Sequence, residues 1–165
     1  MHHFIIFAYS FLIGMILPIA LSADETVDGV ATVEISGETI FNTKMNYLGE
    51  PLNVRLSLQG FESQGYFDIY LAIQFPDEQL WFLESSGGLF QASIFNPLLT
   101  PYVKNTPISD VAGSVLAVQL PKDISLVGQY AVYAVLVPSG GNPFDPAQWA
   151  HQIAADQVFV NRNLK

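Results

Sequence analysis

Aromatic rings and side-chain oxygens are the main chemical resource of this chain, since cysteine is absent and two of its three histidines are His2 and His3. Tyr66 and Tyr70 lie four residues apart in the run Tyr66 to Phe75, so an extended strand puts them on one face. Trp81, in the next run, lies opposite them if the turn Pro76-Asp77-Glu78 is tight. Such a row on an open sheet face would bind a glycan or a protein, whereas under a loop it is a second buried face. Phe144 and Trp149 pose the same choice, between a stacking platform for a sugar ring and a hydrophobic staple at a helix start.

Oxygen donors near glycines raise a calcium site at Asn142, Asp145 and Asp156, although no EF-hand or repeat spacing is present. Asp145 has a competing role as the N-cap of a short helix, with Pro146 at the first helical position and Gln148 completing a capping box. Catalytic sets are scarce. Beyond the leader there is one histidine, His151, expected at the surface, so a zinc site with two or three histidines and the common nucleophile pairs cannot be assembled. The motifs G-x-S-x-G, H-E-x-x-H and G-x-x-x-x-G-K are absent. Asp77 and Glu78 are neighbours in a turn and cannot readily flank a bond across about 5 Å or more.

These residues sit in a chain dominated by period-two alternation. Leu52 to Leu58 places an apolar residue at every second position, and Phe67, Ile69, Leu71, Ile73 and Phe75 do the same. Burying those five side chains yields roughly 7 to 15 kcal/mol gross, at about 1.5 to 3 each. Ordering ten residues of backbone costs a similar amount, at roughly 1 to 2 kcal/mol per residue, so the strand needs a facing sheet. Further β-rich runs are Val30–Ile35, Thr39–Phe41, Gln79–Glu84, Leu89–Phe95, Ser114–Leu120, Gln129–Val137 and Gln157–Val160. Turns at Pro76-Asp77-Glu78 and Ser85-Ser86-Gly87-Gly88 punctuate them. The stretch Asn96 to Ala112 holds three of the ten prolines and is expected to be a long crossing loop. The pattern predicts an all-β antiparallel sandwich of about eight to nine strands, with one short helix from Pro146 to about Ala154 between the last two.

Leu126-Val127-Gly128-Gln129-Tyr130 leads into one of the long strands and resembles the corner before strand F of immunoglobulin-like and fibronectin type III sandwiches. The resemblance implies that the Tyr130 hydroxyl bonds back to the preceding chain. It departs from the family pattern at Val127, where a proline is usual. The segment Val135 to Trp149 resembles one in exported bacterial domains. Neither resemblance implies a reaction.

Phe4 to Leu21 is almost unbroken apolar sequence, and Pro18 with Ala20-Leu21-Ser22 suits cleavage after Ser22. The alternative is an uncleaved anchor, since about 18 apolar residues just cross a bilayer core of roughly 30 Å. The expected organisation is a signal peptide over 1–22 and one immunoglobulin-like domain over 23–165. That domain keeps the whole formal charge of −9, which repels phosphate backbones and disfavours nucleic acid. Export without cysteine points to a bacterial periplasmic or extracellular setting. The expected role is non-catalytic, structural or through protein contact, self-association included, with no cofactor. The alternatives are a carbohydrate-binding module using the aromatics and a hydrolase with an unusual carboxylate site. Contact with membrane is expected only through an uncleaved leader.

Overall fold

The computed structural model describes residues 29–61, 65–91, 93–151 and 153–162. The expected signal peptide over 1–22, its helix and its cleavage site lie outside the described residues. Alternation resolves as two sheets packed face to face. The smaller contains β1 (Val30–Ile35), β4 (Pro51–Gln59) and β9 (Val111–Gln119), in the order β1-β4-β9. The larger contains β2 (Glu38–Ile40), β3 (Thr43–Tyr47), β5 (Tyr66–Gln74), β6 (Leu80–Ser85), β7 (Ser93–Asn96), β8 (Val103–Pro107), β10 (Gly128–Pro138) and β11 (Ala154–Asn161). Its order is β2-β3-β11-β10-β5-β6-β7, with β8 also paired to β5.

The inward rows are those that period two selects. Leu52, Val54, Leu56 and Leu58 of β4 meet Phe67, Ile69, Leu71 and Ile73 of β5, joined by Val132, Ala134 and Leu136 of β10 and by Val158 and Val160 of β11. A bulge at Val54/Arg55 against β9 lets the consecutive residues Val115 and Leu116 both turn inward.

Four expectations need correction. There are eleven strands among the described residues, and the pairing is mixed, because β3 runs parallel to β11. Its sequence Thr-Lys-Met-Asn-Tyr carries no alternation, and the tight turn at Phe41-Asn42, both at positive φ, creates it as the return arm of a hairpin. The crossing loop Asn96 to Ala112 contains β8 and the start of β9. β8 forms because β6 pairs only with Leu71–Gln74 of β5, which leaves Tyr66–Ile69 to take another strand. The run Leu89–Phe95 is a strand only from Ser93, since Phe90 adopts φ 61 and lays its ring over Gly113. The helix over Pro146–Ala154 is a three-residue 3-10 turn, Pro146–Gln148. Trp149 closes it by donating to Pro146 O, and the Ala150 N–H then bonds Leu136 O, pulling the chain back to β10 before a second turn can form.

A second 3-10 turn (Ile124–Leu126) leads into β10, and the corner there has the implied geometry. The Tyr130 hydroxyl donates to Leu126 O at 2.9 Å, and its ring packs edge-on against Phe75. Gly128 adopts φ +146, and a Cβ there would lie 2.6 Å from Pro76 Cβ. Burial, and secondarily the charge of Asp77, pushes the Tyr130 hydroxyl up to about 12. Neutral tyrosine is therefore the form the fold holds. Its contribution is complete below about pH 10 and is lost as pH rises through about 12.

Gly128→Ala should lower the unfolding free energy by roughly 2 to 4 kcal/mol in urea titrations, from strained backbone and the Pro76 clash together. Tyr130→Phe should cost about 1 to 2 kcal/mol. The same variant should also reduce the loss of stability expected between pH 10 and 12, to which the raised Tyr70 hydroxyl contributes with the same sign.

Candidate functional site

The face of the large sheet turned away from the small one is covered in its middle. The row Asp68, Tyr70, Ala72 on β5 belongs to it, as do Phe82 and Leu80 on β6 and Tyr133 and Val135 on β10, by direct cross-strand pairing. Two segments lie over this floor. The chain from Ser139 to Ile153 brings Pro143, Phe144, Trp149 and Ile153, and the chain after β7 brings Leu99. Between floor and roof is a cleft of about 60 Å³ whose lining carries no charged residue. A drug-sized ligand fills roughly 300 to 1,000 Å³, so this cleft accepts no more than a small aliphatic branch.

The 3-10 turn is what shapes the roof. Asp145 caps it by accepting the Ala147 N–H at 3.1 Å, and Gln148 Nε2 donates to the other carboxylate oxygen at 2.8 Å. Gln148 Oε1 accepts from Asn142 N at 2.9 Å, so the glutamine braces the loop's beginning and not the Asp145 N–H, which bonds Asn142 O. Trp149 Nε1 donates to Pro143 O at 3.0 Å, leaving the indole edge engaged within the roof. Phe144 and Trp149 both line the cleft, with Phe144 38 % exposed.

Asp68 is the residue that alternation alone misses. It is 2 % exposed on a nominally polar face. Its carboxylate accepts from Asn105 N (2.7 Å) in β8, from Ser139 Oγ (3.0 Å) and from Gly140 N (3.1 Å). Burial by itself pushes this carboxyl up. The Asn105 and Gly140 N–H groups, the Ser139 hydroxyl and the Lys104 charge outweigh that and hold it below its ordinary 3.8. Tyr70, the next residue of the row, has its hydroxyl raised by burial and then by the Asp68 charge.

Of the aromatic candidates, Tyr70, Trp149 and Phe144 are brought together. Tyr66 lies 58 % exposed at the start of β5, outside the cleft. Trp81 is on the opposite face. Gln74 pairs with Leu80, so the five-residue turn between them matches Trp81 to inward-facing Ile73 and gives its expected place beside Tyr70 to Phe82 and Leu80. Trp81 packs edge-on against Phe75, with its Nε1 donating to Gln79 Oε1 at 3.2 Å. Counting the turn's parity would have identified Phe82.

The calcium set does not converge. Asp156 pairs with inward-facing Val132, and its carboxylate accepts from Ile35 N at 2.8 Å and from Lys44 Nζ, tying β11 to β1. Asn142 and Asp145 belong to the roof on the other face, where Asn142 Oδ1 accepts from Phe144 N at 3.0 Å. Among the described residues no group of three or more His, Cys, Asp or Glu is placed to hold a metal ion. His151 is not at the surface as expected: it is half-buried, edge-on to the Phe61 ring. Among the described residues no helix is long and apolar enough to cross a membrane. No family model matches the chain, and no curated protein is significantly similar to it.

Calcium at millimolar concentration should leave the thermal midpoint unmoved. Asp156→Ala should lower stability by about 1 to 3 kcal/mol, because the Ile35 amide and Lys44 lose their acceptor. Differential scanning calorimetry of the two proteins, with and without the ion, checks both.

Proposed function

We propose that this chain is an exported, non-catalytic immunoglobulin-like sandwich that works by protein contact, at the cleft on the outer face of its large sheet. The observation that carries this reading is the rim. Phe144 and Leu99 on the cleft lining are each 38 % exposed, and Leu98, next to Leu99 in the chain, is 72 % exposed. Scattered exposed apolar residues need no explanation, but several gathered around an uncharged cleft are what a protein contact uses. A partner's aliphatic side chain entering the cleft would bury both itself and the rim, at about 25 cal/mol per Å² of apolar surface. A glycan would need convergent hydrogen-bonding groups, and the lining supplies only the Tyr70 and Tyr133 hydroxyls, the latter donating to Gln74 Oε1.

The immunoglobulin-like assignment is supported by the Leu126-to-Tyr130 corner, and export by the apolar leader with its small residues at Ala20 and Ser22. Fractionation of a bacterial host should find the protein outside the cytoplasm, with its amino terminus at Ala23. Retention in the cytoplasm with the leader intact would overturn the export reading.

A photo-crosslinking residue placed at Leu98 should yield a discrete adduct in the exporting host. The same probe at Arg55, on the exposed face of the small sheet, should not. Phe144→Asp should abolish the Leu98 adduct, at a cost in stability of roughly 1 to 2 kcal/mol because the ring, 38 % exposed, also packs in the roof. Identical adducts from both probe positions would rule out a specific contact at the cleft.

A further inference from the structure

Two roof segments reach the cleft from different parts of the chain, and each is fastened to the floor near the same side chain. The segment carrying Leu99 runs into β8, where Asn105 holds φ 49 and gives its N–H to Asp68. The segment carrying Phe144 and Trp149 leaves β10 through Ser139 and Gly140, and both of these donate to Asp68 as well. Ser139 Oγ also lies 3.0 Å from Asn105 Oδ1, so the two segments meet over the carboxylate. A buried carboxylate is tolerated because three donors converge on it. Without its charge those donors lose their common acceptor.

We propose that Asp68 is the positioning residue of the cleft, its carboxylate holding both roof segments over the floor that Tyr70 and Ala72 provide. Its importance to function rests on the reading of the cleft as a contact site. The roof's attachment itself is measurable without any partner. The charged or titratable groups facing Asp68 are Lys104 on β8 and Tyr70 on its own strand. The Asp145 carboxylate caps the turn beside Trp149, so only the part of an acid change that Asp68→Asn removes reports the Asp68 carboxylate. Because the folded carboxyl lies below 3.8, the fastening is complete at neutral pH and is lost as pH falls through that lowered value.

The test uses Trp81→Phe, which leaves Trp149 as the sole tryptophan. Its emission should shift to the red, and acrylamide quenching should rise about twofold, as pH falls below 3.8 and before the far-ultraviolet circular dichroism changes. Asp68→Asn in the same background should show the open signal already at pH 7 and no acid transition of this kind. Hydrogen-exchange protection at the Asn142, Ala147 and Gln148 amides should fall roughly tenfold or more, while Leu71 and Val132 keep theirs. Uniform loss across roof and core, or an unchanged roof, would overturn the assignment. Ser139→Ala provides a second measure if Asp68→Asn does not fold, with a smaller shift in the same direction expected and no shift counting against the proposal. An opened roof in Asp68→Asn alongside absent Leu98 adducts would refute the contact reading and leave the positioning role standing.

Discussion

The structure depends on β5 being covered on both faces. It is paired to β10 along one edge, and to β8 and then β6 along the other, so its backbone is satisfied almost end to end. Its inward row is pressed against the small sheet, and its outward row would face water if the loops of the large sheet did not fold over it. Nine residues in one strand then meet two different partners, a packed sheet and a pair of loops. The first is stabilised by apolar area alone. The second is thin and holds a buried charge, so its stability rests on hydrogen bonds that converge on Asp68.

A sandwich of three strands against eight is lopsided, and the chain deals with this by crossing between sheets. After Ile35 it leaves the small sheet, forms the β2–β3 hairpin at the edge of the large one, and returns through Leu48 to β4. Leu48 N bonds Asn161 O on the way back, so the crossing is tied to β11 at one end. Asp156 ties it at the other, where its carboxylate takes the Ile35 amide and the Lys44 ammonium together. Without disulfides, this polar link supplements apolar packing at the open side of the sandwich.

Where one face is buried and the other wet, the sequence is legible, and β1 and β4 lie where alternation puts them. β3 and β8 are not, because neither has an apolar row of its own and each exists through pairing with a strand already in place. The Phe144–Trp149 segment was legible as a capped turn, but local capping cannot tell how far a helix continues. The Ala150 bond to Leu136 ended it. The cleft was half legible, through Tyr70, Phe144 and Trp149. Trp81 was misplaced by one residue of turn parity, which reverses every side chain beyond it. Asp68 was hidden because an aspartate in an alternating strand reads as the wet face, and nothing nearby signals that two distant loops will close over it.

Under the proposed contact, the formal charge of −9 and an uncharged cleft together constrain the partner. The net field acts at a distance, slowing the approach of acidic proteins and hastening that of basic ones, and it is screened beyond about 8 Å at physiological salt. The cleft would act only at contact, where fit to about 60 Å³ would decide affinity and charge would contribute little. Association rate and complex lifetime would then be governed by separate features, the first by surface charge and salt, the second by the apolar rim and the roof. A roof already fastened before docking spares the partner the entropy of ordering it, and a small cleft has little apolar area with which to offset that cost. If the proposed contact holds, the buried carboxylate of Asp68 therefore bears on binding through the roof it fastens.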